Sequence, residues 1–318
     1  MVLGLTNDEV TAALEAASLA PSVHNTQPWL FRVAEDRIEL HADTSRALRA
    51  TDPEDRELRL SCGAALLNLR VALEGAGVRT TVAISHEPGC GALAVLRRVG
   101  GAAQPEPALV AAIPERRTNR RPFRSEPVPL GFRVALVRAA ERERSWLHVV
   151  TDREERTRLR GMVARAHRAL DADPRVKAEL RRWTGLRVGA DGVPTRAAGP
   201  RPAAGDEWAT RDFLARGLPE RVGAAGSGGG ELVAVLCSYH DGPAAEVQAG
   251  QAMQRVLLTA TSLGLSASFM SQPVEVPAIR EEVRGLAGGP FPQTVLRLGF
   301  GEPAPPTPRR SVADLLMD

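Results

Sequence analysis

The sequence predicts an α+β chain made of two fused repeats, folded together as an intramolecular pseudo-dimer around two central helices. Three observations carry this. The segments "CGAALLNLRVALEGAG" (62–77) and "AGQAMQRVLLTATSLG" (249–264) share Gly63/Gly250, Ala65/Ala252 and Gly77/Gly264 at one offset, 187 residues (63 to 250, 77 to 264). Each segment lies between strand-like runs, "DRIELHAD" and "ALAVLRRVG" around the first, "ELVAVLCSYH" and "QTVLRLGFG" around the second. The first is apolar most of the way round, which suits a helix surrounded by other elements.

The elements follow in order. Thr6 to Glu9 has the spacing of a capping box. Val10, Ala13, Leu14 and Ala17 then share a helical face, and Pro21 stops the helix. "DRIELHAD" alternates as a half-buried strand does. Arg56 to Gly75 reads as a long helix with one stripe of Leu60, Ala64, Leu67 and Val71 and another of Leu66, Leu69 and Leu73. "TTVAIS" and "ALAVLRRVG" read as strands. The second repeat begins near Ile113, dividing the chain into 1–112 and 113–318. Helices are expected at 153–170 and 174–183, an irregular stretch at 185–206, a short helix around Trp208–Ala215 and a flexible Gly tract at 223–230. The whole stretch 185–230 reads as a lid-like, Gly/Pro-rich insertion. A strand "ELVAVLCSYH", a helix Val247 to Gly264 and a strand "QTVLRLGFG" close the repeat.

Composition narrows the function classes. The chain has 318 residues, 43% of them hydrophobic, which suffices for a sizeable core and for about two domains. Net charge is only +3, and Lys177 is the single lysine. The arginines alternate with Asp and Glu, as in "TDREERTRLR", so they read as solvated helix faces and not as a nucleic-acid footprint. Cys62, Cys90 and Cys237 are isolated, and Cys62 and Cys237 sit in apolar runs. Neither a disulfide framework nor a zinc site is indicated. His41, His86, His148, His167 and His240 have no metal-ligand spacing. A run of 18 apolar residues and a secretory leader are both lacking, so a soluble cytoplasmic protein is expected. "GAAGSGGG" lacks the Lys-Ser/Thr end of a P-loop, no Gly-x-Gly-x-x-Gly follows a strand, and no Gly-x-Ser-x-Gly elbow occurs.

Three clusters carry candidate chemistry. "APSVHNTQPW" (20–29) packs two prolines, Ser22, His24, Asn25, Gln27 and Trp29 into one bend. "ERRTNRRPF" (115–123) crowds Arg116, Arg117 and Arg120 around Thr118; guanidinium forks suit phosphate and carbonyl oxygens. "PAPPTPRRSVADLL" delivers Arg309 and Arg310 on a proline-stiffened tail.

Together these clusters resemble the nitroreductase-type FMN oxidoreductases. "APSVHNTQPWLF" is similar to their "PSxxNxQPWxF" loop, "RRTNRRPF" to their "RRSxRxF" segment and "PRRSVADLL" to their C-terminal basic segment. The two-repeat layout resembles the fused Acg-type subgroup. Departures are Val23 and His24 inside the loop and a Phe123 placed one residue late.

The resemblance implies a nitroreductase-like sandwich with FMN at the interface between repeats. Each cluster occurs once, so one composite site per chain is expected, with the second lost. The resemblance further implies that Ser22 and Asn25 bond the ring edge or the ribityl chain, and that Gln27 and Trp29 fix the loop. Arg116, Thr118 and Arg120, with Arg117 beside them, would face the flavin's negative charge or its phosphate. Arg309 or Arg310 would meet the phosphate, and Ser271 and Gln272 in "MSQP" would line the ring. His24, singled out by its place in the loop, is expected to make a structural hydrogen bond, with proton donation as the alternative role. No side chain is expected to be catalytic itself, since flavin N5 carries the chemistry. The expected function is hydride transfer from NAD(P)H through FMN to a small acceptor such as a nitro-aromatic, quinone or enone. Alternatives are an FMN-sequestering protein with little turnover and a biosynthetic flavin dehydrogenase. Nucleic acid and membrane are not expected partners, and the chain is expected as a monomeric pseudo-dimer or a homodimer.

Overall fold

The computed structural model describes residues 1–86, 91–185, 189–200, 208, 211–213 and 229–317. Cys90 and most of the 185–230 stretch, including 223–228 of the Gly tract, lie outside the described residues. The first half runs α1 (Asn7–Ser18), β1 (Trp29–Val33), β2 (Arg37–Ala42), α2 (Arg56–Gly75), β3 (Thr80–Ile84), β4 (Ala94–Arg98) and α3 (Pro107–Glu115). The second half begins α4 (Leu130–Arg142), β5 (Ser145–Val150), α5 (Arg153–Ala172), α6 (Pro174–Arg182) and the two-residue strands β6 (Thr184–Gly185) and β7 (Val193–Pro194). It continues β8 (Leu232–Ser238), α7 (Pro243–Ser262), β9 (Ser266–Phe269), α8 (Gln272–Glu275), α9 (Pro277–Leu286), β10 (Phe291–Gly299) and α10 (Val312–Leu315).

The duplication is visible in the strand order. One sheet runs β1-β2-β4-β3 and the other β5-β8-β10-β9. All neighbours in both are antiparallel. In each, the four strands appear as first, second, fourth, third, with the long helix between the second and third. Sheet one has a solvated face, which is why β2 and β4 alternate in burial. Sheet two is covered on its second face by α5 and α9, so β8 is buried at every residue and reads as a continuous apolar run.

The central helices pack together at their paired glycines. A Cβ on Gly63 would lie 2.1 Å from the Val247 carbonyl oxygen and 2.9 Å from Cα of Gly250. A Cβ on Gly250 would lie 2.1 Å from the Leu60 carbonyl oxygen. Leu60 and Val247 share the offset of the two glycines, so the contact is self-complementary, as across a two-fold axis. Arg59 and Glu246, again at that offset, form an ion pair beside it.

Several elements differ from expectation. The capping box at Thr6 and Glu9 is present, with both reciprocal bonds. α7 starts at Pro243, four residues early: Pro is pre-organised for a first helical turn and needs no N–H partner there. α3, α4, β5, α8 and α9 were not expected. Neither Trp208 nor Arg211–Phe213 is helical, and the rest of the expected 208–215 helix lies outside the described residues. Cys62 and Cys237 are buried, as core residues should be. Among the described residues no His/Cys/Asp/Glu cluster could hold a metal, and no helix is long and apolar enough to cross a membrane.

The two halves differ at the turn before the first strand of each sheet. Ten residues (19–28) join α1 to β1, but only Glu143 and Arg144 join the equivalent α4 and β5. The shortened turn is plugged by charge. Buried Glu143 accepts from Arg70 at 2.9 Å and from Arg255 Nε at 2.9 Å, while Gln248 donates to its carbonyl.

Candidate composite site between the repeats

The 20–29 loop holds an unusual backbone. His24, Asn25 and Gln27 all have positive φ (51°, 58° and 52°). Such conformations cost free energy in residues with a Cβ and persist only where the surroundings fix them. Here the fixing bonds are numerous. Ser22 Oγ accepts from Gln27 N at 2.9 Å. Asn25 Nδ2 donates to the carbonyls of Gly192 (2.9 Å) and Pro308 (3.0 Å), and its Oδ1 accepts from Arg309 at 2.9 Å. Gln27 donates to the Ala190 carbonyl and accepts from Arg310 N, both at 2.8 Å. The Arg310 side chain donates to the Gln27 carbonyl at 3.1 Å. The C-terminal tail of the second half is thus sewn onto the loop of the first. Trp29 leaves the loop into the core.

The arginine segment is fixed from the other side. Asn119 N donates to the Ala267 carbonyl at 2.7 Å, and Thr118 bridges Ala267, so the segment runs along β9. The Asn119 side chain closes its turn through Arg121. Arg120 donates to the Ala197 carbonyl at 3.0 Å and lies over the Phe213 ring at 4.8 Å. Gly199 allows that approach: a Cβ there would meet the Arg120 carbonyl oxygen at 2.2 Å.

Loop and segment face each other across a cavity between the halves. Ser22, His24, Thr118, Arg120, Ser271 and Gln272 line it, all expected site residues. Its apolar wall includes Trp208, Phe213 and Met253. His24 packs edge-on to Phe213 with ring centroids 6.0 Å apart; no hydrogen bond to its ring is seen among the described residues, contrary to the structural bond expected. Burial first, then Arg211 and Arg120, hold its imidazole well below the usual range, so it is neutral.

The other expected residues sit behind the wall. Asn25, Gln27 and Arg310 face the tail and the 190–192 segment. Arg117 donates to the Pro114 and Arg116 carbonyls. Arg116 is 3% exposed and, among the described residues, its side chain donates only to the Leu19 carbonyl, at 3.4 Å. Arg309 reaches the same carbonyl at 3.3 Å. Among the described residues Nε and Nη1 of Arg116 and Nε of Arg309 have no hydrogen-bond partner. Neither arginine pairs with a carboxylate there. Burial, then Arg309, Arg117 and Arg120, push Arg116 down to about 9; burial and Arg117 push Arg309 down to about 10. Buried cations are ordinarily paired. Arg116, buried, and Arg309, half-buried beside it, have spare donors among the described residues and make a candidate place for an anion.

Sequence reasoning missed Glu57, Ser61 and Arg211 on the cavity wall. Glu57 and Ser61 look like polar positions in a helix pattern, and nothing local marks them as facing a cavity.

Replacing Asn25 with alanine removes one buried and two part-buried bonds and keeps a strained φ. An unfolding free energy lower by about 1–3 kcal/mol is expected in chemical denaturation. An unchanged midpoint would show that Asn25 does not hold the loop.

No family model matches the chain. The chain is 35% identical to the Mycobacterium tuberculosis protein named "Putative NAD(P)H nitroreductase Rv3131", over 97% of this chain and 91% of that protein. It is 30% identical to "Putative NAD(P)H nitroreductase acg" of the same organism, over 98% and 96% of the two chains. A nitroreductase with bound FMN from Desulfitobacterium hafniense shares 18% identity, covering 64% of this chain and 93% of that one, at a TM-score of 0.40. The full-length similarity to Rv3131 and acg shows that this chain belongs to their family of NAD(P)H nitroreductases.

Proposed function

We propose that the chain is an FMN-dependent NAD(P)H oxidoreductase of nitroreductase type, with one flavin site formed between its repeats. The observation that carries this is the buried Arg116 guanidinium beside the half-buried Arg309: among the described residues neither pairs with a carboxylate, and Arg116 Nε and Nη1 and Arg309 Nε have no hydrogen-bond partner. A phosphate dianion fits that donor set in charge and in hydrogen-bonding capacity. The relatives' names supply the nicotinamide donor.

When bound, FMN would pass a hydride from NAD(P)H to a small organic acceptor. The chain's own residues would do the rest. Arg116 and Arg309 would hold the phosphate. The Ser22 and Thr118 hydroxyls, both on the cavity wall, would bond the ribityl chain or ring edge. Arg120 would face the charge that reduction leaves at N1 and the C2 carbonyl. Ser271 and Gln272 would line the ring, and Trp208, Phe213 and Met253 would keep water away. One chain supplies both halves of the site, so a monomer suffices.

A specific observation favours a second reading, sequestration with little turnover. The 190–200 segment is fastened to both halves, through Gln27 to Ala190, Asn25 to Gly192 and Arg120 to Ala197. One experiment separates the two. Anaerobic NADPH or NADH is expected to bleach the flavin absorbance of the purified protein within seconds. Persistent colour at saturating levels of both would sink the reductase reading and favour sequestration.

A further inference from the structure

The cavity has one acid that no part of the flavin reading uses. Glu57 opens the first turn of α2, lines the cavity and is 2% exposed. Its Oε1 accepts from Arg56 at 3.2 Å. Among the described residues its Oε2 has no partner. A carboxyl oxygen this deeply buried with nothing to bond is costly, unless it carries a proton and meets an acceptor on whatever fills the cavity.

The surroundings decide whether that proton is held. Arg56 also donates to the Gln293 carbonyl at 2.7 Å, so its charge is shared. Asp52, just before α2, adds a second acid; its carboxylate accepts from Leu58 N at 2.8 Å. From α8, Glu275 faces Glu57 and is itself bonded by Arg211 and by Ser271 Oγ at 2.7 Å. Across the cavity stand His24, which is neutral, and Arg120 and Arg297. Burial first, then Glu275, push the Glu57 carboxyl well above the usual carboxylate range, against the pull of Arg56.

We propose that Glu57 is a proton-carrying cofactor-binding residue, whose neutral carboxyl donates a hydrogen bond from Oε2 to the flavin ring. This rests on the reading that FMN fills the cavity. It makes flavin affinity depend on pH with a definite sign. The bound state needs the neutral acid, so the dissociation constant is flat at low pH. It rises up to tenfold per pH unit once Glu57 ionises.

The test is a fluorescence titration of apoprotein with FMN across pH, for the wild type, Glu57→Gln and Glu57→Ala. The amide keeps a donor and cannot ionise. It should bind within about threefold of the low-pH wild type, with the rise at high pH gone. The alanine variant should bind more weakly at low pH. A flat wild-type profile, or the same rise in Glu57→Gln, overturns the proposal.

A second readout needs no flavin. The folded apoprotein holds a proton on Glu57 that the unfolded chain releases. Stability of the wild type relative to Glu57→Gln should therefore fall as pH rises above the ordinary glutamate range. No such divergence overturns the proposal. Divergence without FMN binding by the wild type at any pH would retain the proton on Glu57, refute its bond to flavin and sink the flavin reading separately.

Discussion

Replacing Arg116 with methionine is expected to weaken FMN binding about a hundredfold while leaving the apoprotein as stable as the wild type or more so. The proposed phosphate role of the guanidinium gives the two effects opposite signs. Without an anion, it is a buried charge whose Nε and Nη1 have no partner among the described residues, with Arg309 beside it. Removing such a charge in favour of a side chain of similar length relieves desolvation and repulsion. With the phosphate bound, the same N–H groups become charge-assisted donors, and their loss costs about 3 kcal/mol. Fluorescence titration gives the first quantity and urea unfolding of the apoprotein the second. The variant should also lose most of any preference for FMN over riboflavin, since only FMN has the phosphate. Unchanged FMN affinity with a destabilised apoprotein would show that Arg116 is a packing residue, and the phosphate site would lie elsewhere.

The difference between Arg116 and Arg310 shows how far the sequence could be read. Both stand in double-arginine clusters next to rigid residues, and nothing local separates them. In the fold Arg310 pairs with Asp43 and donates to the Gln27 carbonyl, leaving only its Nε unpartnered among the described residues, whereas Arg116 meets no carboxylate there and leaves both Nε and Nη1 unpartnered. That contrast depends on which carbonyls and carboxylates lie within about 3.5 Å, a tertiary fact. The loop behaves likewise. Its density of polar and rigid residues marked it as a site component. Which of its side chains face the cavity was decided by left-handed backbone at His24, Asn25 and Gln27, a conformation these residue types permit but do not announce. Ser22 and His24 turn to the cavity, while Asn25 and Gln27 turn to the tail and to Ala190–Gly192.

The repeat was legible for a different reason. Apolar periodicity and glycine spacing are imposed by packing, and packing is what the two halves share. Two of the unforeseen elements, α4 and α8, lack that clean signal. α4 leaves Leu130 and Val134 exposed on an otherwise ordinary stripe. α8 has four residues, too few to show a period. The α1–β1 loop and the two-residue α4–β5 turn could not be compared before both sheets were known, so the expectation of one site per chain rested on missing motifs alone.

The glycine pair makes the largest stability prediction. Gly63→Ala should destabilise the protein by at least about 3 kcal/mol, and Gly250→Ala by a similar amount. Each added methyl would sit 2.1 Å from a main-chain carbonyl of the opposite helix and under 3 Å from the partner glycine. No rotamer relieves this, because the obstacle is backbone and the new atom has no torsion of its own. α2 and α7 would have to separate, opening the contact that joins the two core faces. That displacement would also move Leu60, Ser61 and Met253 on the cavity wall, so flavin affinity should fall with stability. Once one substitution has pushed the helices apart, the second meets a gap already made. The double variant should therefore lose clearly less than the sum of the single losses, in denaturant unfolding of all four proteins. Additive effects, or a Gly63→Ala variant as stable as the wild type, would mean that the helices do not meet at these two glycines, and the pseudo-symmetric core would have to be abandoned.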